Sequence, residues 1–291
     1  MLNSFILLCT PVPNPQSPVP SPQSPTPKMF WYNGKLINSQ TLELDIYDPG
    51  LLYGTTIFTT LRVYGHSLDH TLTNWQAHCD RLHASIQSFA WEQPDWNRIR
   101  QGAEILLTNF PVLRITIFPD GREWIIGRYL PQNLLGIQKH GVSCTIAEPE
   151  IYRSLPSHKT GNYLSAWMAK THAAKLDSQE AILVNTVGNW LETTTGNLWG
   201  WQNGTWWTPP LTEGILPGIG RQQLIHWLQT HQQTVQEEPW TSELVNGFEA
   251  IAYTNSVVEV IPIHTVYQPT ESLQYDPYHP RLQELRKLFL A

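Results

Sequence analysis

The sequence predicts a mixed α/β fold, of the α+β or irregular α/β kind, in two domains. Three observations predict it. The chain has 291 residues, about two domains at roughly 150 residues each. Segments with a two-residue period and segments with a helical period alternate without a regular βαβ repeat. A Pro/Gln-bearing stretch, LPQNLLG, falls between the two halves. The expected division is therefore a tail over 1–28, a smaller domain over 29–130, a linker over 131–137 and a larger domain over 138–291.

The tail comes first. Eight of the 23 prolines lie in residues 1–28. Such a Pro/Ser/Gln segment buries no core and reads as a flexible or polyproline-like extension. The folded part is expected to begin at Met29. In MFWYNGKLIN, Asn33-Gly34 sits between apolar stretches, a hairpin signal. Leu72, Trp75, Cys79, Leu82, Ile86 and Phe89 recur at helical spacing over 71–90. VLRITIF (112–118) and EWIIGRYL (123–130) read as strands around Pro119-Asp120-Gly121.

Beyond the linker, VSCTIA (142–147) reads as a strand. A helix is expected from Asn162 to about Leu176, with Leu164, Trp167, Met168 and Thr171 on one side. EAILVNT (180–186) and NLWGWQNGTWWTP (197–209) read as strands, the latter turning at Asn203-Gly204. A helix over 218–229, strands near 249–254 and 258–263, and a final helix from Pro280 complete the order.

Composition excludes several functions. Hydrophobic residues make up 41% and charged residues 14%, and the net charge is −6. An acidic chain without a Lys/Arg cluster is a poor match for nucleic acid or an anionic membrane. No apolar run approaches the roughly 20 residues of a membrane span. Three cysteines without a CxxC pair point to a reducing, cytoplasmic setting and no disulfide framework. The eleven histidines show no ligand spacing, so no metal is expected.

The candidate chemistry starts with seven lysines. Lys159 stands apart, in LPSHKTGNYL, on a loop between Pro156 and Gly161 that leads into a helix. A lysine held on a rigid bend beside a pocket can lose its charge and serve as nucleophile or base; a solvated loop lysine is the plainer reading. Glu192, in LETTTGNLWG, follows a strand-like stretch and can cap amides or pair with a protonated ring nitrogen. Gly218-Ile219-Gly220 opens a helix, either an anion site or an ordinary tight turn. Arg81 lies three residues from His78 on one helical side, the position of many snorkelling surface arginines. Arg114 in VLRITIF is a candidate for a substrate carboxylate or an exposed strand arginine. Trp199, Trp201, Trp206 and Trp207 crowd one hairpin, as a core would require or as a binding platform would.

Taken together, YDPGLLYGTTIFTTLRVYG (47–65), HCDRLHAS (78–85), HKTGNYLSAWMAK (158–170), LETTTGNLWG (191–200), GILPGIGR (214–221) and YTNSVVEVIPI (253–263) resemble the class IV aminotransferases. These are the fold-type IV pyridoxal-phosphate enzymes, and the motifs follow that family's order across nearly all of 29–291. The resemblance implies a two-domain enzyme, resembling D-amino acid aminotransferases in fold, that acts as a homodimer on a small amino substrate. It implies that Lys159 holds pyridoxal 5'-phosphate and then removes the proton next to the substrate nitrogen. Glu192 would face the pyridine nitrogen. Arg81, the amides of Ile219 and Gly220, and Ser256 would hold the phosphate. Where transaminases commonly carry Thr, this chain carries Gly220. Tyr53, Phe58 and Asn255 would line the substrate side. Phe58-Thr59-Thr60-Leu61-Arg62-Val63 is similar to the aminodeoxychorismate lyases, with Thr60 beside the cofactor as a catalytic group. Those enzymes convert 4-amino-4-deoxychorismate to 4-aminobenzoate and pyruvate in folate synthesis. The alternative within the family is a branched-chain or D-amino acid aminotransferase.

Overall fold

The computed structural model describes residues 28–268 and 271–290. The tail expected over 1–28 lies outside them except for Lys28. Five strands form a first, all-antiparallel sheet: β1 (Phe30–Tyr32), β2 (Lys35–Ile37), β3 (Ile57–Arg62), β4 (Val112–Ile117) and β5 (Glu123–Arg128), in the order β2-β1-β5-β4-β3. Asn33 and Gly34 make the expected hairpin turn with φ of 44° and 80°, the left-handed pair that matches strand twist. The turn is held from below by the fully buried Glu123. It accepts from Gly34 N at 2.7 Å and Trp31 Nε1 at 2.9 Å, and from the Arg98 guanidinium at 3.0 and 2.6 Å.

A short helix, α1 (Pro49–Leu52), precedes β3, and two longer ones, α2 (Trp75–Phe89) and α3 (Trp96–Leu107), separate β3 from β4. They cover one face of the sheet. Leu61, Leu113, Ile115 and Ile125 point to that face and pack with Leu82, Ile86, Ile99 and Leu106, as the two-residue period dictates. Leu72, expected on the helix, lies ahead of its first turn. The helix α3 was not anticipated. Its start is set by Asp95, which accepts from Asn97 N and Arg98 N, an N-cap that satisfies two orphan amides.

The second sheet contains β6 (Val142–Ile146), β7 (Glu180–Val184), β8 (Trp190–Thr193), β9 (Asn197–Gln202), β10 (Thr205–Thr208), β11 (Val235–Glu237), β12 (Ala250–Asn255), β13 (Glu259–Tyr267) and β14 (Ser272–Gln274). They run β11-β10-β9-β12-β13-β6-β7-β8, with β14 beside β13. A further pairing of β8 with β9, at Glu192↔Asn197, closes the central strands into a ring. Closure puts Glu192 at a seam between strands. Around this sheet lie α4 (Leu134–His140), α5 (Leu164–Lys175), α6 (Ile219–Thr230), α7 (Ser242–Gly247) and α8 (Pro280–Lys287).

Three readings need correction here. The stretch 131–137 is no plain linker: from Leu134 it is helical, because Leu134 and Ile137 have the second sheet's core to bury against. The buried side of α5 is Ala166, Ala169 and Ala173. Leu164, Trp167 and Met168 are instead 62%, 58% and 47% exposed. Small residues win the inner face because they let the helix lie close on Ala181 and Leu183 of β7. The Trp-rich hairpin is no platform. Trp199, Trp201 and Trp206 are buried and pack with Leu224, Leu228, Leu282 and Leu285.

The two sheets meet along β3 and the β12–β13 turn. Glu259 accepts from Arg62 Nη1 at 2.7 Å, Tyr64 Oη at 2.9 Å and Gln138 Nε2 at 2.9 Å. Arg62 N donates to Ser256 O at 3.2 Å.

Candidate active site

Between the sheets lies a cavity of about 700 Å³. Lys159 reaches it from a loop that runs as an added strand beside β3. Phe58 N donates to Lys159 O at 2.8 Å and Gly161 N to Thr56 O, with Ile57 bridging Thr160. Gly161 is required by this approach, since a Cβ there would stand 2.0 Å from Thr56 Oγ1 and 3.1 Å from Gly54 O. The lysine is thereby fixed at the junction of the sheets. Its Nζ lies 4.8 Å from the centre of the Phe58 ring and 5.8 Å from that of Tyr163. Burial, and then the charges of Arg153 and Arg81, hold its ammonium well below the ordinary lysine range, with Glu192 opposing. A neutral amine is the nucleophilic and basic form.

Six cationic side chains line this space: Arg81, Arg114, Arg128, Arg153, Lys159 and Lys170. Among the described residues Lys170 pairs with Glu180, and the other five have one close carboxylate contact, Glu192, whose Oε1 accepts from Arg153 Nε at 2.8 Å. Glu192 Oε2 makes only long contacts, with Leu216 N at 3.3 Å and Asn197 Nδ2 at 3.5 Å. Arg81 donates from Nη2 to Thr59 Oγ1 at 2.8 Å, while its buried Nε has no partner. Thr59 Oγ1 also contacts His78 Nδ1. The hydroxyl that accepts from Arg81 can give its own proton to that nitrogen of a neutral ring. Burial and the charge of Arg81 lower its pKa, in agreement. Burial and the neighbouring Arg153 also bring Arg81 itself down to about 10. Charges held this way, with an unpaired buried donor among them, have the chemistry to take an anion.

The helix α6 points its N-terminus into the same cavity, where Ile219 and Gly220 lie beside Ser256. Its N-cap, Gly218, offers no side chain to the first-turn amides, which leaves them free for an anion. A Cβ at Gly218 would fall 2.0 Å from Asn197 Oδ1, so closeness rather than an unusual φ demands glycine. Orphaned Arg81 Nε, bare helix amides and a neutral buried lysine together fit a cofactor with a phosphate and a reactive carbonyl carbon.

Phe58 and Thr60 face the cavity from β3. Arg114 pairs across from Thr60, and its guanidinium carbon lies 3.5 Å from the Phe58 ring centre. Asn255 borders the cavity, but its side chain serves the turn: Oδ1 accepts from Val257 N and Val258 N, and Nδ2 donates to Thr195 O. That leaves little of it for a substrate. Tyr53 is the residue the structure does not bring in. It ends α1, is 73% exposed and stands outside the cavity wall, because the chain turns at Gly54 with φ of 64° before β3 enters the sheet. Sequence reasoning missed Arg153, Tyr163, Thr59 and His78. The last three lay within the matched motifs. No spacing rule points to Arg153, whose partner Glu192 is remote in sequence.

The family model for amino-transferase class IV matches residues 56–266. The chain belongs to this family. Its members are pyridoxal-phosphate enzymes and include both lyases and transaminases. The chain is 25% identical over 264 residues to aminodeoxychorismate lyase of Vibrio harveyi, covering 85% of this chain and 94% of that one. It is 24% identical over 260 residues to the branched-chain-amino-acid aminotransferase of Escherichia coli, covering 81% and 84%. Among solved structures it resembles a hypothetical aminotransferase of Mycobacterium tuberculosis in its PLP-bound form, with a TM-score of 0.76, 20% identity, and coverage of 89% and 97%. That likeness places the fold among the fold-type IV enzymes. Among the described residues no helix is long and apolar enough to cross a membrane.

Proposed function

We propose that this class IV aminotransferase-family protein is an aminodeoxychorismate lyase, which converts 4-amino-4-deoxychorismate to 4-aminobenzoate and pyruvate in folate synthesis. The observation that carries the reading is the position of Thr60. It lies on the cavity face of β3, directly across from Arg114 and next along that face from Phe58. A hydroxyl there fixes a ring-bearing substrate in one pose, and a fixed pose favours loss of the adjacent group over a slower proton shift.

Lys159 would hold the cofactor, and Arg81, the first-turn amides of α6 and Ser256 would take its phosphate. Glu192 Oε2, short of strong partners, would serve the pyridine nitrogen and keep its proton in place. When bound, pyridoxal phosphate supplies the electron sink for the carbon next to the substrate nitrogen. The free Lys159 amine would take the proton from that carbon. Arg114 holds a carboxylate against Phe58. The enolpyruvyl C–O bond then breaks, the ring becomes aromatic, and the leaving enolpyruvate gains a proton to become pyruvate. No co-reactant is consumed.

A homodimer is supported by apolar side chains left in solvent. Leu51, Leu52 and Tyr53 at α1 are 59%, 50% and 73% exposed, and Gly54 abuts Asn162 just ahead of the exposed Leu164 and Trp167 of α5.

The test is purified, cofactor-loaded protein with 4-amino-4-deoxychorismate and no keto acid. Release of 4-aminobenzoate and pyruvate supports the lyase. Turnover of leucine, glutamate or D-alanine with 2-oxoglutarate, without 4-aminobenzoate, establishes the aminotransferase in its place. Thr60→Gly should depress the lyase reaction more than any residual transamination.

A further inference from the structure

The cavity contains a charge, without an acidic partner among the described residues, that the roles above do not use. Arg128 ends β5 and lines the cavity wall together with Arg114 of β4. In the β4–β5 register, Arg114 faces Ile126 and Val112 faces Arg128. Arg128 is therefore the diagonal neighbour of Arg114 on the same face of the sheet, a spacing of about 7–8 Å. Neither guanidinium has an acidic partner among the described residues. The acids nearest the cavity are already taken: Glu192 by Arg153 and Glu180 by Lys170. Arg114 lies deeper, stacked on Phe58, while Arg128 is exposed at the mouth.

Like charges on neighbouring strand positions oppose each other. Burial, and then the charge of Arg128, lower the Arg114 pKa to about 10. Two arginines side by side over a cavity, without carboxylates of the protein's own, leave that opposition to be relieved by what enters. One carboxylate can satisfy one guanidinium fork. Two guanidinia at a diagonal call for two carboxylates on a compact frame, at a separation that two arms of a six-membered ring can supply.

We propose that Arg114 and Arg128 form a clamp for a cyclic amino substrate with two carboxylates, in which Arg114 takes the inner carboxylate and Arg128 selects for the second. The proposal rests on the lyase reading for its ring-bearing substrate, while its charge count stands on the arginines alone.

The test uses cofactor-loaded protein and two ligands that cannot displace Lys159 because they lack an amine. Chorismate carries two carboxylates on a ring, and 4-hydroxybenzoate carries one. Dissociation constants are measured for the unaltered chain, Arg128→Gln and Arg114→Gln, with cofactor absorbance as the check on folding. Arg128→Gln should weaken chorismate about 10–100-fold, the range of a lost charge-assisted contact, and leave 4-hydroxybenzoate unchanged. Arg114→Gln should weaken both. Arg128 sits at an exposed strand end, so its variant keeps the test intact even where the variant at the half-buried Arg114 fails to fold. Equal chorismate binding by Arg128→Gln and the unaltered chain overturns the clamp, even where 4-aminobenzoate is released. Arg128-dependent chorismate binding without release of 4-aminobenzoate upholds the clamp and removes the lyase reading.

Discussion

Replacing Arg81 by Met separates what this residue does for the fold from what it does for a cofactor, because the two effects have opposite sign. In the chain alone Arg81 is a liability. It is partly buried, its buried Nε has no partner among the described residues, and its one side-chain hydrogen bond goes to a neutral hydroxyl, Thr59 Oγ1. Burial and the charge of Arg153 draw its pKa down to about 10. At about 1.4 kcal/mol per unit, holding the charge costs on the order of 3 kcal/mol. The cost is present at every pH below about 10, where Arg81 is charged in both folded and unfolded chains. Met fills similar space without the charge. Cofactor-free Arg81→Met should therefore melt higher, by on the order of 5 °C at most. With a phosphate present the sign reverses. One or two charge-assisted contacts at about 1.5–3 kcal/mol each are lost, so cofactor affinity should fall at least about tenfold. The assay is thermal melting of cofactor-stripped and reloaded protein, beside a cofactor titration read by absorbance. A variant that melts lower when stripped and binds the cofactor as before refutes the reasoning; Arg81 would then be a partner for Thr59 and no phosphate ligand.

Borohydride reduction of the cofactor-loaded protein, followed by peptide mapping, should place the pyridoxyl group on Lys159, and label on another lysine removes that assignment. The depressed Lys159 pKa has a consequence in the cofactor-free chain: the folded state sheds this proton before the unfolded state does. Stability should rise with pH from that depressed value up to the ordinary lysine range, and Lys159→Met should flatten the rise in pH-dependent denaturant melts. Glu192→Gln should leave the protein folded and yellow but cut turnover by orders of magnitude, because a neutral amide cannot hold a ring proton; full activity would free Glu192 of that role. Gly161→Ala should lower turnover and stability together, by about 1–3 kcal/mol for overpacking, and Thr56→Ala in the same chain should recover part of it by removing the 2.0 Å contact.

Much of the fold was legible because its signals are local. The Asn33-Gly34 and Asn203-Gly204 turns and the periodic runs of α2, β4 and β5 each carry their own instruction. What escaped depended on partners. In α5, Leu164, Trp167 and Met168 form a reasonable apolar stripe on paper. Which stripe is buried was decided by β7, against which only alanines lie close enough. Tyr53 failed in the same way: its motif places it near β3 in sequence, while the positive φ of Gly54 turns it outward. Within the site, Lys159, Glu192, Arg81, Phe58, Thr60 and Arg114 do share one cavity, since each sits in a motif that fixes its own turn or strand. Arg153 lay beyond reach because a buried ion pair is specified by tertiary distance, and nothing in YRSLP marks its partner as Glu192.

Thr59 and Thr60 show how one dipeptide serves both sides of the proposed reaction. Neighbours on a strand face opposite ways. Thr59, fully buried, turns to α2 and meets Arg81 and His78, so it orients the proposed phosphate ligand from behind. Thr60 turns to the cavity, across from Arg114, so it meets the proposed substrate in front. A one-residue slip of β3 would exchange the two faces and abolish both contacts. The register is held against that slip at both ends of the strand. Phe58 N binds Lys159 O at its start, and Arg62 binds Ser256 O and Glu259 at its end. The residues that fix the register are thus those that bring Lys159 and Ser256 to the cavity. Strand pairing, the lysine and the anion site are set by one arrangement, so a change that loosens β3 should weaken cofactor and substrate binding together.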